Sequence, residues 1–151
     1  MEDEVINFDP TQSKFAYMLS KYDCFRKLTG KCSLTLNEDE YNHYAAKEKL
    51  NSKDTYEFFE DNSVHYCRLL ANSMIEKGIK KPVSINPFSC GHFAFTDGQH
   101  RTCIAKTIGL KEVPAYIGEA WECECRVCHF KKTNPIFAIR HIFGKTKEFI
   151  R

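Results

Sequence analysis

The chain of 151 residues lacks three features that would assign it to a particular class of protein. It has no run of eighteen apolar residues, so the sequence predicts no transmembrane span and no membrane partner. Its first residues, Met-Glu-Asp-Glu, form neither a basic nor an apolar leader region, which favours a cytoplasmic protein over a secreted one. It also has no internal repeat or low-complexity block. Because 42% of the residues are hydrophobic, we expect a globular protein with a buried core.

Acidic residues are scarce toward the C-terminal end. Residues 126–151 contain seven Lys or Arg and one acid, Glu148, whereas residues 1–10 contain four acids and no base. The net charge of the whole chain is only +2. A basic segment of this kind is suited to contact DNA, a nucleotide or another anion. A solvated helix face is the equally weighted alternative.

The hydrophobic pattern predicts an α+β fold. We expect strands and helices over residues 62–151, and an N-terminal helical extension over residues 1–61. The individual elements follow from periodicity and from the positions of Gly, Pro and capping residues. Helices are expected over 11–22, 38–50, 62–77 and 99–108, and strands over 82–85, 92–95, 112–117 and 123–130.

The most informative segment is the turn Asp97-Gly98-Gln99-His100-Arg101. It lies between an expected strand and an expected helix, where first-turn amides and the helix dipole favour an anion. Gly98 allows close approach of the backbone, and the Arg101 guanidinium is suited to bidentate contact with phosphate. A salt bridge between Arg101 and Asp97 is the structural alternative.

The order of motifs around this turn resembles the ParB/sulfiredoxin family. Gly78-x-x-x-Pro82-Val83 precedes the turn, Ala105 follows it, and Gly109-x-x-x-Val113-Pro114-Ala115 closes the pattern, so the resemblance covers residues 62–118. It implies a compact α/β domain with a small mixed sheet flanked by helices. Such a domain would bind nucleotide phosphates (ATP, ADP or CTP) with Mg²⁺ and carry out phosphoryl transfer or nucleotide hydrolysis on an unknown acceptor. A DNA-associated binding module or nuclease, with residues 126–151 as the DNA surface, is one alternative. A regulatory domain without catalysis is another.

The resemblance and the residue chemistry together give a candidate site. Asp97, His100 and Glu76 are the candidate proton-transferring groups, and Asp97 is also suited to bind Mg²⁺ or to shape the turn. The candidate phosphate-binding residues are Gly98, Gln99, His100, Arg101, Thr102 and Lys81. Gln99 stands where sulfiredoxins have their nucleophilic cysteine, so sulfiredoxin activity is not expected unless Cys103 or Cys90 supplies the thiol.

A second candidate site is the Cys-x-Cys-x-x-Cys-His segment, formed by Cys123, Cys125, Cys128 and His129. Thiolate and imidazole ligands suit Zn²⁺. However, structural zinc sites generally take their ligands from two separated pairs, and all four of these residues lie within seven positions. Cys24 and Cys32 are the candidates for a second pair. Redox chemistry and plain thiols are the other interpretations.

Overall fold

The computed structural model describes residues 4–151, which form an α+β fold with six α-helices, a mixed four-stranded sheet and a two-stranded sheet. The strands are β1 (Val5–Phe8), β2 (Ala16–Met18), β3 (Val83–Pro87), β4 (Phe93–Asp97), β5 (Val113–Ile117) and β6 (Glu148–Ile150). The helices are α1 (Phe25–Thr29), α2 (Glu38–Ala45), α3 (Tyr66–Lys77), α4 (Gln99–Ile108), α5 (Arg126–Thr133) and α6 (Pro135–Ile142). Among residues 4–151, no helix has both the length and the apolar character needed to cross a bilayer.

The chain divides into two units. One comprises the residues up to Met18 together with Ile79–Arg151, and the other comprises Leu19–Gly78. The predicted boundary, between residues 61 and 62, lies inside the range Leu19–Gly78.

The first unit is built on the four-stranded sheet, with strand order β1-β5-β3-β4. β3 runs parallel to β5, and the β1–β5 and β3–β4 pairs are antiparallel. The parallel pair is the centre of the core, since Val83 and Ala115 face each other in register and are both almost completely buried. α4 adds Ile104 and Ala105 to this core. The sheet therefore holds the end of β4 and the start of α4 in a fixed position.

An aromatic cluster closes the first unit beside the sheet. Phe15 stacks on Phe95 with a centroid separation of 5.2 Å, and Tyr17 stacks on Phe149 at 5.2 Å. β2 and β6 pair antiparallel through Ala16–Met18 and Glu148–Ile150, and Phe15 exchanges backbone hydrogen bonds with Arg151. Packing of ring against ring adds to the energy of burial. The C-terminal residues of the chain are thus part of this unit's core.

The second unit, Leu19–Gly78, has its own buried residues and a buried histidine. His65 is 1% exposed, and its Nε2 lies 2.7 Å from the backbone carbonyl of Glu48. A carbonyl only accepts, so Nε2 carries the proton, and Nδ1 accepts from the hydroxyl of Tyr41 at 3.1 Å. α2 begins at the capping box predicted from Asn37 and Glu40. α3 supplies Leu70, Ala71 and Met74 to this core.

Two of the elements predicted from the sequence are wrong. Residues 11–22 do not form a helix; a 3₁₀ turn over Pro10–Gln12 is followed by β2. The helical spacing of Phe15, Met18 and Leu19 is misleading, because Phe15 and Tyr17 are buried on alternate residues and pair with the far end of the chain. Residues 123–130 are not a strand either: Cys125 is at the N-cap position of α5, which begins at Arg126.

Candidate metal centre and the Asp97–Arg101 turn

Four metal-ligating side chains meet at one end of the sheet in the first unit. The Sγ atoms of Cys90, Cys125 and Cys128 and a ring nitrogen of His92 all lie within 4.8 Å of one another. Cys125 is buried, and the other three are half-buried. This group could hold a metal ion. Its three cysteines are free, with no disulfide between them.

The two halves of the cluster are positioned by different elements. Cys90 and His92 lie on the tight turn between β3 and β4, which the Phe88 amide closes by donating to the carbonyl of His92 at 2.8 Å. Gly91 has φ +82°, a left-handed conformation that glycine adopts readily, so the turn can reverse within a few residues. Cys125 and Cys128 are three residues apart at the start of α5, and that spacing places both side chains on one helix face.

Backbone pairing holds the two halves together. The Ser89 amide donates to the carbonyl of Cys123 at 3.0 Å, and the Trp121 amide donates to the carbonyl of Pro87 at 2.8 Å. The amide of Cys125 donates to Sγ of Cys90 at 3.4 Å. The segment leading into α5 therefore runs beside the β3–β4 turn, and this arrangement brings the two ligand pairs together.

The distances from His92 to the three thiols match those of a tetrahedral site. Nδ1 of His92 lies 3.4 Å from Sγ of Cys90 and 3.5 Å from Sγ of both Cys125 and Cys128. A tetrahedral ion with metal–sulfur bonds of about 2.3 Å and metal–nitrogen bonds of about 2.0–2.1 Å separates its ligand atoms by about 3.6 Å. The imidazole is thus already at the distance from each thiol that a shared ion requires.

The pKa values of the side chains in the cluster are shifted in different directions. Burial acts to raise the pKa of the Cys90 thiol, but hydrogen bonds from the amides of Cys125 and His92 and from neighbouring thiols lower it overall. Burial together with the adjacent sulfurs raises the pKa of Cys128 to about 12. Burial, followed by the charges of Lys14 and Lys131, lowers the pKa of His92, which keeps the imidazole neutral and able to ligate.

The cluster and the ligand set predicted from the sequence share two residues. Cys125 and Cys128 belong to both. Cys123 is exposed, and Nδ1 of His129 lies 3.7 Å from the carboxylate of Glu124; neither residue belongs to the cluster. Cys24 and Cys32 belong to the other unit and are not part of the cluster.

Cys90 and His92 were missed as ligands, although a signal for them is present in the sequence. Cys90-x-His92 stands on a Gly-containing turn, 33 positions before the Cys125-x-x-Cys128 pair. A second pair at that distance satisfies the expectation that structural zinc sites take ligands from two separated segments.

The Asp97–Arg101 turn has the predicted strand–turn–helix setting, but its side chains bind one another. Nη2 of Arg101 donates to Oδ2 of Asp97 at 3.0 Å, and Nζ of Lys81 lies 2.6 Å from the same oxygen. Arg101 also donates to the backbone carbonyl of Lys81. The hydrogen bond from Lys81, and then the charge of Arg101, lower the pKa of Asp97 against the opposing effect of burial. An Arg101–Asp97 salt bridge, the structural alternative, is therefore present.

The other candidate phosphate-binding and proton-transferring residues lie in different surroundings. Oε1 of Gln99 accepts from the amide of Met18 at 2.7 Å. Thr102 is 2% exposed, and its Oγ1 has no hydrogen-bond partner among residues 4–151. His100 is half-buried on the first turn of α4. Glu76 is exposed near the end of α3, in the other unit.

Gly98 has a packing role that the sequence did not reveal. Its φ is +104°, and a Cβ at this position would lie 2.5 Å from Cγ1 of Val83. Only glycine fits between β3 and the start of α4 without displacing a core residue. A glycine here therefore serves the packing of the fold, whether or not an anion binds to the turn.

Comparison with known proteins adds no family to these observations: neither a family model nor a curated protein matches the sequence.

Proposed function

We propose that this protein is a zinc-binding domain in which Cys90, His92, Cys125 and Cys128 hold one structural Zn²⁺. The observation that carries the proposal is the convergence of these four ligand atoms within 4.8 Å. Three thiolates and one imidazole form a soft ligand set that suits Zn²⁺ better than Mg²⁺ or Ca²⁺. Four protein ligands leave no open position for water or substrate, which is typical of a structural site.

The zinc would fix the start of α5 to the β3–β4 turn. α5 has only eight residues, too few for a helix that is stable on its own in water. Its N-terminal end would stabilise the Cys125 and Cys128 thiolates through the helix dipole. Three thiolates around Zn²⁺ leave a charge of −1, and Lys131 and Lys14, whose charges already act on His92, are placed to offset it.

The direct test is zinc content and its dependence on single ligands. We expect about one zinc per chain by mass spectrometry of the metal, and loss of zinc in Cys90→Ser, His92→Ala and Cys128→Ser. Cobalt substitution would give the absorption bands of a tetrahedral thiolate site.

The chain contains matched controls for this test. Cys123→Ser removes an exposed thiol two positions from Cys125, and His129→Ala removes the imidazole next to Cys128. Both variants should keep the metal. Zinc loss from these two, with retention in Cys90→Ser, would instead favour the ligand set predicted from the sequence alone.

We also propose, as a second candidate function, that the Asp97–Arg101 turn binds the phosphates of a nucleotide. What supports it is the meeting of two cations, Lys81 and Arg101, on one carboxylate at the N-terminal end of α4. In this proposal a phosphate oxygen takes the position of the Asp97 carboxylate, where the helix dipole also favours negative charge. A nucleotide would compete with Asp97 for these cations.

Calorimetry with ATP, ADP and CTP in the presence of Mg²⁺ tests the second proposal. If the turn binds phosphate, Asp97→Asn removes the internal competitor and should tighten binding, whereas Lys81→Ala should weaken it. Absence of binding in both the wild type and Asp97→Asn would leave the turn a purely structural element.

A further inference from the structure

α6 has one face packed and one face in solvent. Phe137 packs on Phe130 of α5 with ring centroids 5.2 Å apart, and it stacks on His141 of its own helix at 5.6 Å. The opposite face and the residue that follows the helix are apolar and exposed. The side chains are Ile136 (71% exposed), Ile139 (58%), Ile142 (80%) and Phe143 (71%). We refer to these four as the α6 apolar face.

The α6 apolar face lies within an entirely basic stretch of sequence. Residues 126–147 contain six Lys or Arg and no Asp or Glu. All six cations are exposed, and they are Arg126, Lys131, Lys132, Arg140, Lys145 and Lys147. Two of them are ion-paired with neighbouring carboxylates, Lys132 with Glu124 at 2.6 Å and Arg126 with Glu148 at 3.6 Å. Arg140 follows Ile139 directly, and Lys145 is two positions after Phe143. Whatever covers the α6 apolar face therefore has to accept apolar side chains and positive charge together.

Three kinds of occupant have different chemistry. A second copy of this surface would bring like charges together, and four side chains fall short of the about 800 Å² per partner of a standard protein interface. Nucleic acid would pair with the cations. However, binding to the phosphate backbone would not bury four adjacent aliphatic and aromatic side chains. An anionic lipid surface accepts both, because apolar side chains enter the acyl boundary while Lys and Arg pair with headgroups.

We propose that the α6 apolar face and its surrounding cations form a docking surface for an anionic lipid bilayer. The helix would lie in the plane of the interface, with Phe137 and His141 directed toward the protein. This is peripheral binding and needs no transmembrane span. It departs from the sequence-based expectation of no membrane partner, and it goes beyond both proposed functions because it uses neither the metal cluster nor the Asp97–Arg101 turn.

Sedimentation with lipid vesicles tests the proposal on the full chain. We expect binding to vesicles of equal parts phosphatidylcholine and phosphatidylglycerol, and little binding to phosphatidylcholine alone. Ile139→Ser with Ile142→Ser should weaken vesicle binding at least tenfold, because in the wild type both isoleucine side chains move from water into the bilayer. Lys145→Gln with Lys147→Gln should weaken it about tenfold or more at low salt and less at high salt.

Ile75→Ser is the matched control. Ile75 is an equally exposed isoleucine (66%) on α3, outside the basic segment, and its replacement should leave vesicle binding unchanged. A 20-base-pair DNA duplex is the competing ligand. Binding to DNA without binding to anionic vesicles would overturn the proposal. Full vesicle binding by the Ile139/Ile142 variant, with thermal unfolding like that of the wild type, would overturn it as well.

Discussion

At the scale of single residues, Gly98 combines two constraints that usually occur separately. It has a left-handed φ of +104°, and the position of its missing Cβ lies 2.5 Å from Cγ1 and 2.7 Å from Cβ of Val83. Val83 is 1% exposed and pairs with β5, so it cannot move aside without disturbing the central strands. The cost of a side chain at this position is therefore both conformational and steric.

We expect Gly98→Ala to lower the free energy of unfolding by about 2–4 kcal/mol, from backbone strain and overpacking together. Gly109→Ala is the control, because Gly109 also has a positive φ (+74°) but no heavy atom within 4 Å of the added Cβ. That variant should lose only about 1 kcal/mol. Urea denaturation measures both. Equal losses would show that φ alone matters and that the contact with Val83 does not.

A second prediction at this scale concerns the pH dependence of the stability that Asp97 contributes. Its folded-state pKa is lowered, first by the hydrogen bond from Lys81, so its ionised form stabilises the fold above the unfolded pKa of about 3.9. That contribution is lost as the pH falls through the lower folded pKa. Because the side chain is 40% exposed, solvent screening limits the contribution to about 1 kcal/mol or less.

The measurement is an NMR titration of the Asp97 carboxyl carbon together with unfolding at several pH values. Lys81→Ala should raise the pKa of Asp97 toward its usual value. Asp97→Asn should be less stable than the wild type at pH 7, and the difference should shrink below about pH 4. An unchanged carboxyl pKa in Lys81→Ala would contradict the assignment of the ion pair.

At the scale of elements, local signals predicted the structure well where neighbours in sequence decide it. The capping box of Asn37 and Glu40 gave α2, and the order of β3, β4, α4 and β5 followed from their apolar runs and from Gly109. β2 was missed because its partner, β6, lies 130 residues away. α5 was mistaken for a strand because cysteine and valine alternate with polar residues at its start.

The α2 capping box itself is testable. The Asn37 side chain accepts from the Glu40 amide at 2.9 Å, and Glu40 accepts from the Asn37 amide at 3.1 Å. Asn37→Ala should lower the free energy of unfolding by about 1 kcal/mol. Asn72→Ala, at an exposed interior position of α3, should be neutral or slightly stabilising because alanine is the better helix former. Circular dichroism with urea reports both changes; equal effects would rule out a capping role.

At the scale of the whole molecule, the candidate zinc site shows why half of its ligands escaped sequence reasoning. Cys125 and Cys128 are recognisable because they are three residues apart. Cys90 and His92 join them only because the β3–β4 turn and the segment before α5 run side by side, as the Ser89–Cys123 and Trp121–Pro87 hydrogen bonds require. Such long-range pairing leaves no periodic trace in the sequence.

If the cluster holds zinc as proposed, the stability of the chain depends on that ion. A ligand that binds only the folded state stabilises it by about 2.7 kcal/mol when its concentration is one hundred times its Kd. For a chain of this size that corresponds to a rise in Tm of about 5–10 °C. We expect a chelator to lower the Tm of the wild type by this amount, and added zinc to restore it in proportion to the logarithm of its concentration. In calorimetric scans, the Tm of Cys123→Ser should respond to chelator and zinc as the Tm of the wild type does. The Tm of Cys128→Ser should already be low and should not respond to zinc or chelator. A zinc response retained by Cys128→Ser would mean that the stabilising ion binds elsewhere, because the loss of one of four ligands from a closed tetrahedral site leaves the ion incompletely coordinated.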